Sequence, residues 1–142
     1  MATLTVANSS INLSFEGLFD ATPLQGYTAD NIFDVADLSN AEVVMGIDGK
    51  LSYAWKPAPV VQTFSLQANS PSCQMFDTAY DTEQTNKEKL RVQAVIAMPG
   101  QGLNYTMANG VVTTWNVMPS AHAMAQPRKF TITWESRSAS PL

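Results

Sequence analysis

Histidine and cysteine are the residue types most often used in nucleophilic catalysis, and this chain of 142 residues has one of each. His122 would have to be the base of any Ser-His-Asp or Cys-His arrangement. It lies in a run of Ala, Met and Ser residues, where nothing holds an imidazole rigidly. Cys73 falls on the inner face of a predicted helix, where a buried, unreactive thiol is expected. The pattern predicts a loop histidine, a core cysteine and no catalytic residue.

Two further motifs resemble ligand sites. Asp30, Asp34 and Asp37 are spaced loosely like ligands of a hard cation, but the EF-hand spacing and its closing glutamate are absent. A solvated acidic loop is favoured. Gly100-Gln101-Gly102 lacks the lysine and helix context of a phosphate-binding loop and predicts a turn. Neither motif predicts a metal or a cofactor.

Three tryptophans offer a possible stacking platform for sugars, as in many carbohydrate-binding β-sandwiches. Trp134 is in phase with Phe130 and Ile132, so it is predicted to lie in the core. Trp55 and Trp115 stay open, although aromatic residues in strands are more often packing residues. A monomeric sugar-binding module is therefore kept as an alternative, and a hydrolase using His122 as its base comes last.

The composition predicts one globular domain with an unusual surface. Hydrophobic residues make up 45% and charged residues only 14%, against about 25% charged in an average protein. The 12 Ser, 13 Thr, 9 Asn and 8 Gln residues take their place. Few charges suit extensive contact with other protein chains, because interfaces are depleted in Lys, Glu and Asp. A neutral extracellular β domain explains the composition equally well.

The charge is acidic and unevenly placed. Residues 1–49 hold seven acids and no Lys or Arg, and the remainder holds five acids and eight bases, so the two parts carry −7 and +3. This distribution argues against a nucleic-acid binder, which would need a basic stripe. The apolar runs are too short to span a bilayer, residues 1–10 do not resemble a secretory signal, and one cysteine excludes an internal disulfide.

Apolar residues mostly alternate with polar ones, which predicts half-buried strands. The clearest cases are residues 11–15, 62–66, 90–96 and 130–134. Two Asp-Gly or Asn-Gly pairs predict two-residue type I′ hairpins. Asp48-Gly49 would join 42–47 to 50–55, and Asn109-Gly110 would join 103–107 to 111–117.

The first predicted hairpin has two apolar faces. Pairing across Asp48-Gly49 gives one face of Val44, Leu51, Tyr53 and Trp55, and an opposite face of Val43, Met45, Ile47 and Ala54. A hairpin in a lone domain normally turns one polar face to water. The pair is therefore either central in a sheet or covered by another subunit. We favour the second, with Val43, Met45, Ile47 and Ala54 at a subunit interface.

One helix is predicted, from an N-cap at Ser70 and Pro71 in the first turn to about Asn86. The remaining segments are an N-terminal arm (1–10), a long acidic loop (19–42) with at most a short strand at 32–35, and a mobile C-terminal tail (138–142). The chain is predicted to be a single, mainly β domain over 1–142. Its architecture would be a two-sheet β-sandwich or partly open barrel of about seven strands, flanked by one α-helix.

The order of these features resembles the tail tube proteins of long-tailed bacteriophages. The resemblance covers roughly residues 30–137. It is carried by Ile47-Asp48-Gly49-Lys50, Lys56-Pro57-Ala58-Pro59, Thr63-Phe64-Ser65-Leu66, Asn69-Ser70-Pro71-Ser72 and the closing Gln126-Pro127-Arg128-Lys129-Phe130-Thr131-Ile132-Thr133-Trp134.

The resemblance implies a non-enzymatic virion protein whose hexameric rings stack into a hollow tube. In that family each subunit lends four strands to an inner barrel, and a terminal arm and a long loop bridge successive rings. Twenty-four strands, about 4.8 Å apart and tilted by about 40°, close into a barrel of about 48 Å. Such a bore admits a DNA duplex, so the resemblance implies a conduit for the genome during ejection.

The resemblance also implies partners and a role for the acids. A charge of −4 per chain gives −24 per ring of six, which would let DNA slide without binding. The candidates for the lumen or the contact between rings are Asp30, Asp34, Asp37, Glu42 and Asp48. The implied partners are further copies of the chain and the sheath, tape-measure, baseplate and tail-terminator proteins. Membrane insertion is not expected, and assembly would take place in the host cytoplasm.

A relative with the same architecture is the first alternative: a tube from a headless contractile injection system, such as a tailocin or a secretion tube. Neither the motifs nor their spacing separate it from a phage tail tube.

Overall fold

A computed structural model of the protein describes residues 9–25 and 32–141, and this part of the chain forms nine strands and one α-helix. The strands are β1 (Ser10–Phe15), β2 (Phe19–Pro23), β3 (Phe33–Val35), β4 (Ala41–Met45), β5 (Leu51–Trp55), β6 (Val60–Leu66), β7 (Val92–Met98), β8 (Leu103–Thr114) and β9 (Arg128–Pro141). Helix α1 (Ser72–Asn86) follows β6, and a short 3-10 helix (Pro99–Gln101) precedes β8. None of the helices described is long and apolar enough to cross a membrane.

Seven strands form one antiparallel sheet in the order β2-β1-β7-β8-β9-β6-β3, and β4 and β5 form a separate two-stranded sheet. Phe33 on the edge strand β3 and Met98 on β7 line the same pocket, although these strands are not neighbours in the sheet. This arrangement shows that the large sheet curls. Within the described residues the sheet does not close into a barrel. The predicted fold class, mainly β with two sheets and one flanking helix, is confirmed.

The core lies between the concave face of the large sheet and helix α1. The ring of Phe76 on the helix stacks on Phe130 of β9 with centroids 4.2 Å apart, and the edge of Phe15 meets Phe76 at 5.7 Å. Trp134 is fully buried, and its indole Nε1–H donates a hydrogen bond to Gln62 Oε1 at 3.0 Å. The alternating strands at 11–15, 62–66, 90–96 and 130–134 all supply this core, as their pattern predicted.

The predicted helix is present and ends at Asn86 as predicted, but it begins at Ser72 with Pro71 as its N-cap, one residue after the predicted N-cap Ser70. The Ser70 Oγ accepts a hydrogen bond from the Ser72 N–H at 3.2 Å, and Pro71 precedes the first full turn. This hydrogen bond satisfies a backbone donor that the helix itself leaves free. The helix ends at Asn86, because Lys87 adopts a left-handed conformation with φ 57°.

The side chain of Arg128 links helix α1 to the large sheet. Its guanidinium is buried and donates two hydrogen bonds to the Asp77 carboxylate, at 2.7 and 3.1 Å, and one to the Asn116 carbonyl at 2.6 Å. The hydrogen bond to Asp77 raises the pKa of Arg128 above its usual value. This arginine therefore joins β9 to helix α1 and to the segment that follows β8.

The second predicted hairpin is wrong. Asn109 and Gly110 lie inside the continuous strand β8, with β9 paired on both sides of them. Asn109 has a left-handed φ of 52° and forms a bulge opposite β7. A Cβ on Gly110 would lie 2.3 Å from the Trp134 ring, so the glycine leaves room for that indole. An Asn-Gly pair fits a bulge as well as a turn, because both need a left-handed residue.

Two predicted segments also differ from the structure. Ser138 to Pro141, expected to be a mobile tail, are the end of β9 and pair with β8 as far as Pro141. The expected loop over 19–42 contains β2, which pairs with β1, as well as the short β3 foreseen at 32–35. Residues 1–8 of the predicted N-terminal arm lie outside the described residues.

Candidate assembly surface

Strands β4 and β5 form a hairpin that stands away from the body of the fold. The chain leaves the body after Ala36, whose N–H donates to the Val61 carbonyl at 2.9 Å, and re-enters it at β6. Every residue from Asp34 to Pro57 is exposed. The Lys56 N–H donates to the Asn40 carbonyl at 2.8 Å and closes the base of the hairpin. The chain therefore presents a two-stranded sheet with both faces in solvent.

The turn of this hairpin is one residue longer than predicted. The Gly46 N–H donates to the Lys50 carbonyl at 2.8 Å, and the Gly49 N–H donates to the Gly46 carbonyl at 3.0 Å. Only Gly49 has a positive φ, +83°, whereas a type I′ turn requires positive values at Asp48 and Gly49 alike. Ile47 to Gly49 therefore form a three-residue turn with Gly49 in the left-handed position.

The longer turn shifts the pairing by one residue and re-sorts the two faces. Val43 now lies opposite Tyr53, and Met45 opposite Leu51. The apolar residues collect on one face, hereafter the apolar hairpin face, formed by Ala41, Val43, Met45, Leu51, Tyr53 and Trp55. The opposite face carries Glu42, Val44, Ser52 and Ala54. The expectation of two apolar faces is wrong, since a one-residue slip moves side chains between faces.

The side chains of the apolar hairpin face are largely exposed. Tyr53 is 80% exposed, Trp55 74% and Met45 63%. A two-stranded hairpin alone is at best marginally stable in water, and contiguous exposed apolar patches mark interaction sites. Covering one such side chain is worth about 1.5–3 kcal/mol. These exposures make the apolar hairpin face the candidate interaction surface of the chain.

The predicted interface residues are divided by this register. Val43 and Met45 lie on the apolar hairpin face, and Ile47 lies at the tip, 110% exposed. Ala54 lies on the opposite face, across from Glu42. Sequence reasoning missed that Tyr53 shares a face with Val43. No signal separated the two registers, because an Asp-Gly pair suits both turn lengths.

The predicted acidic residues lie along the same part of the chain. Asp34 (β3), Asp37, Glu42 (β4) and Asp48 (the turn) are all exposed, and Asp30 lies outside the described residues. In the described part of the chain, no three His, Cys, Asp or Glu side chains come together as a metal site would require. The acids are therefore spread over a surface.

The single histidine, the single cysteine and the three tryptophans are spread over several different parts of the fold. His122 is in an exposed loop, as predicted. Cys73 is buried and free, and burial raises the pKa of its thiol. Trp134 is in the core, Trp115 packs edge-on against Tyr80 with centroids 5.5 Å apart, and Trp55 stands alone on the hairpin. This arrangement brings no pair of tryptophans together as a sugar platform.

The sequence matches the family model of the tail fiber protein gp32 over residues 2–138. A comparison with curated protein sequences gives no significant match.

Several solved structures share the fold across nearly the whole chain. A chain of the PVC extracellular contractile injection system, in the sheath/tube terminator in the extended state, is 13% identical with a TM-score of 0.65, covering 99% of this chain and 98% of that one. A chain of the PVC sheath-tube complex is 14% identical with a TM-score of 0.64, covering 98% and 92%. A chain of the six-fold symmetrised baseplate of the anti-feeding prophage is 10% identical with a TM-score of 0.59, covering 99% and 98%. The family match and the shared fold confirm the resemblance to tail proteins drawn from the sequence.

Proposed function

The chain belongs to the family of the tail fiber protein gp32, and on that premise we propose that it is a structural subunit of a phage tail tube. Copies of the chain assemble into hexameric rings, and the rings stack into a hollow tube through which DNA passes during ejection. The subunit has no catalytic step. Its mechanism is ring closure, stacking and an inner wall with low affinity for DNA.

The observation that carries this proposal is the apolar hairpin face. The described part of the chain covers neither Tyr53 nor Met45, although it fully buries the alternating apolar faces of β1 and β9. Val43, Met45 and Ile47 then lie against a neighbouring subunit in the assembly. A surface that is exposed in the isolated subunit and covered in the tube explains both the exposure of these side chains and the low overall charge of the chain.

The long strands support closure of a ring. On one side β9 pairs with β8 as far as Pro141, but on the other side its pairing with β6 ends at Trp134. The edge of β9 beyond Trp134 is therefore without a partner strand among the described residues. Such an edge accepts a strand from another chain, which is how a continuous inner barrel of 24 strands is built from six subunits.

The acidic residues give the tube its inner surface. Asp30, Asp34, Asp37, Glu42 and Asp48 are the candidates for the lumen or for the contact between rings. Glu42 lies on the hairpin face opposite Met45, so it stays exposed when the apolar hairpin face is covered. A ring of six chains carries a formal charge of −24, from −4 each. Repulsion of phosphates then keeps the passing duplex mobile.

The test of the proposal is assembly of the purified protein, followed by negative-stain electron microscopy and size-exclusion chromatography. Wild type should give hollow rings or tubes. Met45→Lys should give a folded monomer, because a lysine covered without a partner is costly. Val44→Lys is the matched control, since Val44 is 66% exposed against 63% for Met45 but lies on the opposite face.

Two results would overturn the proposal. One is a wild-type protein that stays monomeric at high concentration even when tail-initiating components are added. The other is a Met45→Lys variant that forms tubes as readily as Val44→Lys does.

The partners proposed for the tube are sheath, tape-measure, baseplate and tail-terminator proteins, and its place is the virion tail after assembly in the host cytoplasm. A tube from a headless contractile injection system is the second candidate, because the shared fold occurs in chains of extracellular contractile injection systems. DNA-filled heads in particles that contain this protein would decide for the phage tube.

A further inference from the structure

We infer that the tip of the β4–β5 hairpin inserts into an apolar pocket on the concave side of the large sheet of a second copy. The inference rests on the proposed function, since it names the partner surface through which subunits join. Ile47 is the inserted side chain, and the receiving residues belong to the large sheet.

The receiving site is a cavity of about 340 Å³ at the open end of the curled sheet. Its walls come from five strands of the large sheet. They include Phe33, Val35, Met98, Tyr105, Met107 and Arg137. Val35 is 50% exposed, so the apolar lining opens to solvent. An apolar pocket of this kind is stabilised by an apolar side chain that fills it.

The hairpin tip has the shape and chemistry of such an occupant. Ile47 is 110% exposed, more than any other large apolar residue described. It projects beyond two five-residue strands, which place it about 17 Å from the base of the hairpin. An isoleucine at the end of a slender two-stranded arm can enter a pocket that a flat surface could not reach.

Charge favours the same pairing. Arg137 at the pocket stacks over the Tyr105 ring, 5.6 Å from its centroid, and forms no ion pair with the acids described. Asp48 stands next to Ile47 in the turn. Insertion of Ile47 therefore brings a carboxylate towards a guanidinium that has no ion-pair partner among the described residues.

The occupant is a second copy, because Ile47 remains exposed in its own subunit and the neighbouring Asp48 complements the charge of Arg137. The hairpin tip and the pocket are different surfaces of one subunit, so the contact is head-to-tail. A head-to-tail contact repeats, and it generates rings when the rotation closes and filaments when it does not. This is the kind of contact that a stacked ring assembly requires.

The direct test is disulfide trapping between two single-cysteine variants, Ile47→Cys and Met98→Cys, each built on Cys73→Ala. Oxidised alone under assembly conditions, neither variant should cross-link. Mixed, they should give a cross-linked dimer on a non-reducing gel. Gln84→Cys, exposed on helix α1 and outside the pocket, replaces Met98→Cys in the control mixture and should give no cross-link.

A charge exchange tests the same contact without cysteines. Arg137→Glu and Asp48→Arg should each raise the protein concentration at which assembly begins by about tenfold or more, and the two variants mixed should regain part of the loss. Tubes that form from wild type while the mixture gives no cross-link and the charge exchange no recovery would overturn the inference and leave the proposed tube standing. Cross-linking of Ile47→Cys alone would also overturn it, because tips would then meet tips. Failure of wild type to assemble would overturn the tube proposal itself.

Discussion

The body of the fold and the β4–β5 hairpin are built from the same alternation of apolar and polar residues, yet they differ in what covers the apolar side. In β9 the alternating Phe130, Ile132 and Trp134 are all fully buried, under helix α1 and neighbouring strands. In strand β5 of the hairpin, Leu51 and Tyr53 alternate with polar or small residues in the same way and remain more than half exposed. The difference teaches that period-two patterning identifies a face to be covered and does not identify the covering chain.

The largest expected effect separates the two regions by stability. Trp134→Ala should lower the free energy of unfolding by about 3–5 kcal/mol, because it opens a cavity in the core and leaves the Gln62 side chain without its donor. Tyr53→Ala on the hairpin should change it by less than about 0.5 kcal/mol in the monomer. Urea unfolding below the concentration of assembly measures both. If Tyr53→Ala lowered the free energy of unfolding as much as Trp134→Ala does, the hairpin would be part of the subunit's own core.

Alanine substitutions of two glycines, one in the body and one in the hairpin, test the same difference in packing. Gly110→Ala should cost about 1–3 kcal/mol, because its Cβ would overlap the buried Trp134 ring. At Gly49 no atom lies within 4 Å of an added Cβ, so only the positive φ opposes Gly49→Ala, at about 1 kcal/mol. The midpoint temperature of thermal unfolding should therefore fall clearly for Gly110→Ala and little for Gly49→Ala. Equal shifts would contradict the packing argument for Gly110.

Much of the body could be predicted from residues because its signals are local. Ser70 and Pro71 mark the start of the helix, and the clear alternation around Phe130 marks a core strand. The structure departs from prediction where one signal serves two geometries. Asn109-Gly110 fits a turn or a bulge, and only the Trp134 ring packed against Gly110 decides for the bulge. Nothing in the local sequence reports that contact.

The assembly surface could be predicted in part for the same reason. The apolar character of residues 43–55 was evident, but the division between faces depended on a turn length that Asp48-Gly49 left open. The pocket that we assign as its partner was not foreseeable, because Phe33, Met98 and Arg137 come from separate strands. The curl of the sheet brings them together.

Substitutions of charged residues should give the next smaller difference in stability between the body and the hairpin. Arg128→Lys should cost about 1–2 kcal/mol, because an ammonium cannot reproduce the two-pronged contact with Asp77 and the bond to Asn116 together. Glu42→Gln, on the exposed face of the hairpin, should leave unfolding unchanged within about 0.5 kcal/mol. Chemical denaturation of both variants checks this. A destabilised Glu42→Gln would mean that the hairpin's acids stabilise the subunit itself rather than serve the lumen or the contact between rings.

The smallest effect concerns the turn itself. The Asp48 carboxylate accepts a hydrogen bond from the Lys50 N–H at 3.2 Å, and an exposed bond of this kind is worth about 0.5 kcal/mol. Asp48→Ala should therefore speed hydrogen exchange of the Lys50 amide by about twofold in the monomer, with no change at the core amide of Ser65, which donates to the Ile32 carbonyl. Assembly should slow exchange at Lys50 and leave Ser65 as it was, because only the hairpin gains a cover. Equal protection of both amides in the monomer would place hairpin and body in one cooperative unit and remove the distinction between them.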